Sequence, residues 1–197
     1  GTFSSQDSST VTIGSGSLTA SKAVDSPTGN IADGAVGLTL AKFSLKAVGE
    51  DIKVSSIAYY AVVTGSHTLK NTKLLVNGLQ VGTTNTTLTG TGPTVPATVV
   101  TSTVNFTVPA GTTSYLTIVG DTTGTTESGD TVTASIGVGA SNGQRMSSLG
   151  TIAVPANNVG ANGLTVKSGT LSVAANSGFA DASAASPAVW AAGFSTH

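Results

Sequence analysis

Three acidic residues lie close together in a chain that is otherwise weakly charged. Asp121, Glu127 and Asp130 fall in the polar stretch GDTTGTTESGD, between two runs of strand-type residues. If those two strands pair, all three carboxylates reach one end of a hairpin, and hard cations such as Ca²⁺ bind to oxygen clusters of this kind. The spacing differs from that of the calcium-loop motif, so we interpret the stretch as a solvated turn, with a calcium site as the alternative. No cofactor is otherwise expected.

The chain contains a match to the nucleophile motif G-x-S-x-G at residues 139–143, with Ser141 in the position of the nucleophile. That motif carries chemistry on a strand-to-helix turn, with a base within hydrogen-bond reach. His67 is the one internal histidine, and His197 is the last residue. In a chain with 25 glycines, such a match arises readily by chance. We interpret it as a turn and predict that the protein is not an enzyme.

Two kinds of binding residue are also visible. If residues 52–63 form a strand, Tyr59 and Tyr60 point to opposite faces, and the outward ring could stack on a sugar. A glycan site generally presents several aromatic rings, which an aromatic content of 5% hardly supplies. Lys42, Lys46 and Lys53 are interpreted as solvated strand lysines that discourage edge aggregation, with a Lys–Asn isopeptide crosslink as the alternative.

The composition limits the classes of partner. Charged residues make up 9% of the chain, against about 25% in an average domain, whereas it has 33 Thr, 25 Ser and 25 Gly. The net charge of −1 provides no field that would attract nucleic acid or an anionic membrane. No run of about 18 apolar residues is present, so membrane insertion is not expected. The chain has no cysteine and therefore no disulfide.

Alternating apolar residues predict β-strands along most of the chain. Residues 38–48 and 52–63 are predicted as two strands antiparallel to each other, and Asn77-Gly78 is predicted as a type I′ hairpin turn. Residues 23–37 are interpreted as a long loop, and Asn142-Gly143 and Asn162-Gly163 as turns. Eight to ten strands with turns every ~8–12 residues are typical of an all-β, antiparallel Ig-like sandwich, with a closed barrel as the alternative. The predicted core contains Phe43, Leu45, Ile57, Leu74, Val76, Phe106, Leu116, Ile118, Val132 and Ile136.

The end of the chain resembles its beginning. TIGSGSL at residues 12–18 recurs as TVKSGTL at residues 165–171, an offset of 153. We therefore divide the chain into an N-terminal extension at 1–14, a sandwich repeat at 15–160 and the start of a second repeat at 161–197. The last piece is too short to bury its own apolar residues, so it is expected to pair with a following repeat or a neighbouring subunit, and residues 1–14 are a candidate donor strand. The residues expected to make these assembly contacts are Val11, Ile13, Leu18, Leu164, Val166, Leu171 and Val173.

The stretches LAKFSLKAVGEDIKVSSI, VPAGTTSYLTIVGD and SGDTVTASI resemble the tandem, Ig-like β-sandwich repeats of prokaryotic cell-surface proteins. That class includes S-layer proteins, adhesins and subunits of extracellular filaments. The resemblance implies an extracellular location and a non-enzymatic structural role, with other copies or tandem repeats of the same polypeptide as partners. The alternative that it leaves open is an adhesin module for a glycan or a host surface.

Overall fold

The computed structural model describes residues 15–64, 68–89, 99–122 and 127–169. Within these ranges the chain is all-β, and none of the described residues form a helix that is long and apolar enough to cross a membrane. The described strands are β1 (Ser17–Lys22), β2 (Gly29–Ala32), β3 (Leu38–Val48), β4 (Ile52–Val63), β5 (Thr68–Val76), β6 (Leu79–Thr89), β7 (Val100–Val108), β8 (Thr113–Asp121), β9 (Thr131–Ile136), β10 (Gly143–Arg145), β11 (Thr151–Ile152) and β12 (Val159–Lys167).

The strands form two sheets that pair mostly in the antiparallel sense. One sheet has five strands in the order β1-β3-β8-β5-β6. The other has seven, in the order β11-β10-β4-β9-β12-β2, and β7 pairs with β4 along its opposite edge. β12 and β2 pair in parallel. The two sheets form a sandwich-like arrangement, because buried residues of both belong to one hydrophobic cluster.

The alternation of side chains decides which residues face this core. In β3 the apolar residues Ala41, Phe43, Leu45 and Ala47 are fully buried, because successive side chains of a strand point to opposite faces. The predicted core is confirmed in nine of its ten positions. The exception is Phe106 in β7, which has the inward parity but is half-buried and packs against the margin of the cluster.

The predicted connections between strands were right for the hairpin and wrong for the long strands. β5 and β6 pair through a turn in which Asn77 has a φ of 50° and Gly78 a φ of 85°. β3 and β4, in contrast, were predicted to pair with each other, but they lie in different sheets. Both strands have one apolar face, and each buries it against the other sheet, so the chain crosses the core at residues 49–51.

The predicted boundary after residue 160 falls inside β12. This strand pairs with β9 on one side and β2 on the other, and its Leu164 and Val166 are fully buried in the common core. Leu18 is also buried, in β1 beside β3. These three assembly residues therefore find their apolar partners within their own sandwich. The other four, Val11, Ile13, Leu171 and Val173, lie outside the described residues.

Two further loop predictions need correction. Asn162-Gly163 lies within β12, where the register with β9 shifts between Gly160 and Gly163, so it belongs to a β-bulge and is not a turn between strands. The predicted long loop at 23–37 contains β2, which adds a short strand beside β12.

Candidate functional site

The three carboxylates that suggested calcium do not come together. β8 and β9, which flank them, lie in different sheets, so the hairpin that would have gathered them is not formed. Asp121 accepts hydrogen bonds from the backbone N–H of Gly37 and from Asn71 Nδ2, each at 2.7 Å. Asp130 accepts one from the N–H of Glu127 at 2.8 Å. Among the described residues no group of three His, Cys, Asp or Glu side chains could hold a metal ion, so the structure does not gather these carboxylates into the calcium site that the sequence suggested.

Asp121 instead stabilises two irregular points of the backbone. Gly37 has a φ of 70° and Asn71 a φ of 50°, and both donate to this carboxylate. The hydrogen bond from Asn71, followed by that from Gly37, lowers the pKa of Asp121 below its usual value. The carboxylate therefore fixes the segment before β3 and the bulge in β5 to the end of β8.

The G-x-S-x-G match is a turn that leads from β9 into β10, a strand, so it does not form the strand-to-helix turn that the motif requires. Ser141 is exposed, with a φ of 50°. Its neighbour Asn142 is buried and donates from Nδ2 to the carbonyls of Ser56 and Val154, each at 2.6 Å. Its Oδ1 accepts from the N–H of Val154 at 2.8 Å. The role of this stretch is therefore the anchoring of a loop by the amide of Asn142.

The tyrosines and lysines that the sequence singled out differ in their exposure. Tyr59 is buried and its hydroxyl is 3.1 Å from Thr72 Oγ1, whereas Tyr60 is half-buried on the opposite face. Lys42 forms an ion pair with Asp25, and its Nζ lies 4.5 Å from the centre of the Tyr115 ring. Lys46 and Lys53 are exposed, and His67 lies outside the described residues.

One lateral side of the sandwich, where β1 faces β12, is joined by side chains, and we call it the closed side. Lys22 Nζ in β1 donates to Asn162 Oδ1 in β12 at 2.5 Å. Asn162 Nδ2 in turn donates to the carbonyl of Pro27 at 2.9 Å. The bulge in β12 thus places one amide where it links the edges of both sheets.

The end of the sandwich at the β3–β4 turn is fixed around Gly16, and we call it the Gly16 pole. Glu50 accepts hydrogen bonds from the N–H groups of Gly16 (3.2 Å), Ser147 (2.8 Å) and Ser148 (2.8 Å). Arg145 Nε donates to the carbonyl of Gly16 at 2.6 Å. The bonds from Ser148 are the largest cause that lowers the pKa of Glu50 to about 2. The point at which residues 1–14 join the sandwich is therefore held by two charged side chains.

The opposite lateral side, where β6 faces β7, is the open side. In β6, residues 82–84 form a bulge opposite Lys73, because Thr72 pairs with Asn85 and Leu74 with Val81. At Gly82 the two strands nearly touch: a Cβ there would lie 2.5 Å from Ser102 Oγ and 2.6 Å from the carbonyl oxygen of Thr103. Beside this contact lies a cleft of about 360 Å³, which Thr83 and Thr84 of the bulge line on the β6 side.

Three features together characterise the open side. Ser102 is 6% exposed and lines the cleft, and its Oγ makes no hydrogen bond within the described residues. Neither β6 nor β7 contains a charged residue. In the described part of the chain, β6 pairs with β5 alone and β7 with β4 alone. Sequence reasoning missed this cleft, although a glycine inside the strand pattern LQVGTTNTTLT is a signal for a bulge.

No protein-family model matches the chain, and no curated protein sequence matches it.

Proposed function

We propose that this chain is a non-enzymatic structural subunit of a prokaryotic cell-surface assembly, an extracellular filament or S-layer, in which copies or repeats are joined by β-strand addition. The observation that carries this function is the open side. Along the eleven residues of β6 and the nine of β7, one edge of each strand has no paired strand within the described residues. Such an edge presents backbone N–H and C=O groups on which another chain can add a strand.

The protection that monomeric proteins give to their sheet edges is weak here. Natural edges are kept short or carry Lys or Pro, which prevent pairing with another chain. β1 ends on Lys22, and β2 has four residues. β6 is long and contains neither Lys nor Pro; its bulge is its single protective device. The open side is therefore the part of the described surface best suited to pair with a strand.

The Ig-like class of the sandwich is part of the same proposal. Two mostly antiparallel sheets share one core, and the chain crosses between sheets at the β3–β4 and β7–β8 connections. Crossings of this kind are typical of Greek-key sandwiches such as Ig-like domains. An Ig-like subunit joined by strand addition needs no catalytic group, which agrees with the anchoring role of Asn142 in the turn at 139–143.

The test is assembly of the full chain with and without residues 1–14. We expect the purified chain to form polymers that negative-stain electron microscopy and sedimentation velocity detect, and the deletion variant to sediment as a monomer. Circular dichroism and thermal unfolding of the variant should remain those of a folded β protein, since the deleted residues precede the described sandwich. A full-length chain that remains monomeric up to millimolar concentration would rule out the structural role.

The alternative function, an adhesin module, is favoured by a different observation. A hollow of about 420 Å³ lies beside Tyr115, a residue that is 40% exposed, and Asp25 and Ser44 also line it. An aromatic ring among polar groups is the kind of surface that a sugar can contact. A glycan-array signal that Tyr115→Ala abolishes and Tyr60→Ala preserves would favour binding at this hollow; Tyr59, with its buried hydroxyl, is not available for such contact.

A further inference from the structure

We propose that the cleft of the open side receives residues 8–14 of a second copy of this chain as an added β-strand, an inference that rests on the proposed function. One copy would thus close the space between β6 and β7 of the next.

The cleft contains a group without a hydrogen-bond partner among the described residues, and an added strand can supply such a partner. On its β6 side the bulge turns Thr83 and Thr84 out of the regular register with β5. On its β7 side the buried Ser102 Oγ makes no hydrogen bond within the described residues. A buried hydroxyl without a partner is unfavourable, because it has lost its hydrogen bonds to water. A backbone inserted beside β7 brings alternating N–H and C=O groups, which can satisfy both an edge and a hydroxyl.

The segment SSTVTIG, residues 8–14, matches the cleft in charge and pattern. It has no charged residue, as neither β6 nor β7 does, so its insertion desolvates no charge. Its apolar residues Val11 and Ile13 alternate with threonines, the period of a strand with one buried face. The cleft is lined by apolar Tyr59 and Val100 as well as by hydroxyl groups, so both faces of such a strand find similar surfaces.

The positions of the segment and the cleft favour a second copy. Residues 1–14 join the sandwich at the Gly16 pole, where Glu50 and Arg145 hold Gly16. β4 starts at this pole with Ile52, and the cleft lies beside Tyr59, which pairs with Val100. The cleft is thus seven residues along β4, about 23 Å from the pole. Val11 lies five residues before Gly16, which is about 17 Å of extended chain, so Val11 and Ile13 fall short of the cleft of their own copy. When copies stack head to tail, the segment of one can enter the cleft of the next, and such a contact repeats into a filament.

The absence of cysteine from the chain allows a clean crosslinking test. Full-length Val11→Cys and Thr12→Cys chains, which sample both faces of the segment, are each mixed with a Thr84→Cys or a Thr101→Cys chain and oxidised. Thr84 and Thr101 are exposed residues that line the cleft. The matched control is Thr19→Cys, an exposed position on edge strand β1. We expect disulfides between the segment and the cleft, at least tenfold more abundant than those with Thr19→Cys, identified by mass spectrometry of the linked peptides.

Three other results would overturn the inference, and they differ in what they say about the proposed function. Polymers in which the segment crosslinks to Thr19→Cys and not to the cleft would keep strand addition and remove this acceptor. A monomeric Val11→Cys/Thr101→Cys double variant with an internal disulfide would show that the segment occupies the cleft of its own chain. Absence of any polymer would remove both proposals.

The buried hydroxyl gives a second readout. Ser102→Ala removes a group without a partner from the free subunit, so the melting temperature of the monomeric deletion variant should stay equal or rise. In the assembled form the same change removes a hydrogen bond between copies, and the critical concentration for assembly should rise about three- to tenfold. A fall in the melting temperature together with an unchanged critical concentration would overturn the role of Ser102 in binding the segment.

Discussion

The closed and open sides of the sandwich join the edges of the two sheets in different ways. On the closed side Lys22 and Asn162 reach across the gap between the sheets, and the Asn162 amide also binds the carbonyl of Pro27. On the open side the sheets come into close contact at Gly82, and the cleft lies beside this contact. On the closed side, long polar side chains connect the two sheets. On the open side, the backbone of β6 at Gly82 packs directly against β7.

The difference shows what a chain rich in Thr and Ser can and cannot do at a sheet edge. Hydroxyl side chains are short, and they bond to nearby backbone or to water. A gap between two sheets therefore needs Lys, Asn, Glu or Arg to bridge it, and these residues are placed at the closed side and the Gly16 pole. The strands of the open side have no charged residue, so their edges remain suited to another strand.

The largest effect is expected from the two phenylalanines. Phe43 is fully buried in β3, so Phe43→Ala should cost about 3–5 kcal/mol in the free energy of unfolding. Phe106 is half-buried in β7 at the open side, and Phe106→Ala should cost about 1–2 kcal/mol, because less apolar surface is lost. Urea unfolding measures both. Equal losses would show that the open side is packed as tightly as the centre of the five-stranded sheet.

The contact at Gly82 can be separated from its backbone conformation with a matched glycine. Gly82 and Gly78 have φ values of 71° and 85°, but a Cβ at Gly78 would meet nothing within 4 Å. Gly78→Ala should therefore cost about 1 kcal/mol through backbone strain alone. Gly82→Ala should cost about 2–4 kcal/mol, because the methyl group also collides with β7. If thermal unfolding gives the same loss for both, the two sheets do not touch at Gly82.

The link on the closed side should depend more on the amide than on the lysine. Asn162→Ala removes the donor to Pro27 and the acceptor for Lys22, at a cost of about 1–2 kcal/mol. Lys22→Ala removes a contact of an exposed side chain, and a surface change of this kind should cost less than about 0.5 kcal/mol. Chemical denaturation of both variants tests the order. The opposite order would mean that the lysine, not the amide, joins the two sheets.

The smallest effect is expected at the Gly16 pole, as a change with pH. The pKa of Glu50 is about 2 in the folded protein, against 4.5 for the free group. A carboxyl with a lowered pKa stabilises the fold above pH 4.5, and this contribution is lost as the pH falls towards 2. Glu50→Gln should therefore lower the melting temperature at pH 6, and the difference from the unaltered protein should disappear by pH 2.

Asp121 has a lowered pKa as well, so acid should still destabilise the Glu50→Gln variant. If the difference in melting temperature between the two proteins stays constant from pH 6 to pH 2, the assigned role of Glu50 is contradicted.

The sequence by itself determined the local features of this protein. A strand shows its buried face every second residue, so alternation was enough to predict β3, β4 and the core around Phe43. The turn at Asn77-Gly78 was predictable for a similar reason, since both residues adopt the positive φ that a tight hairpin needs. Each of these properties depends on residues that are neighbours in the chain.

The tertiary structure decided everything that depends on which strands become neighbours. β8 and β9 follow each other in the chain but join different sheets, and this alone separates Asp121 from Asp130. The alternation in β12 would be the same if the strand were unpaired. Because β12 lies between β9 and β2, its Leu164 packs in the core and is not an assembly contact. The cleft of the open side, too, exists because a bulge in β6 meets β7 at Gly82. Side-chain periodicity determines which face of a strand is buried. It does not determine which strand pairs with it, because pairing is a contact between residues far apart in sequence.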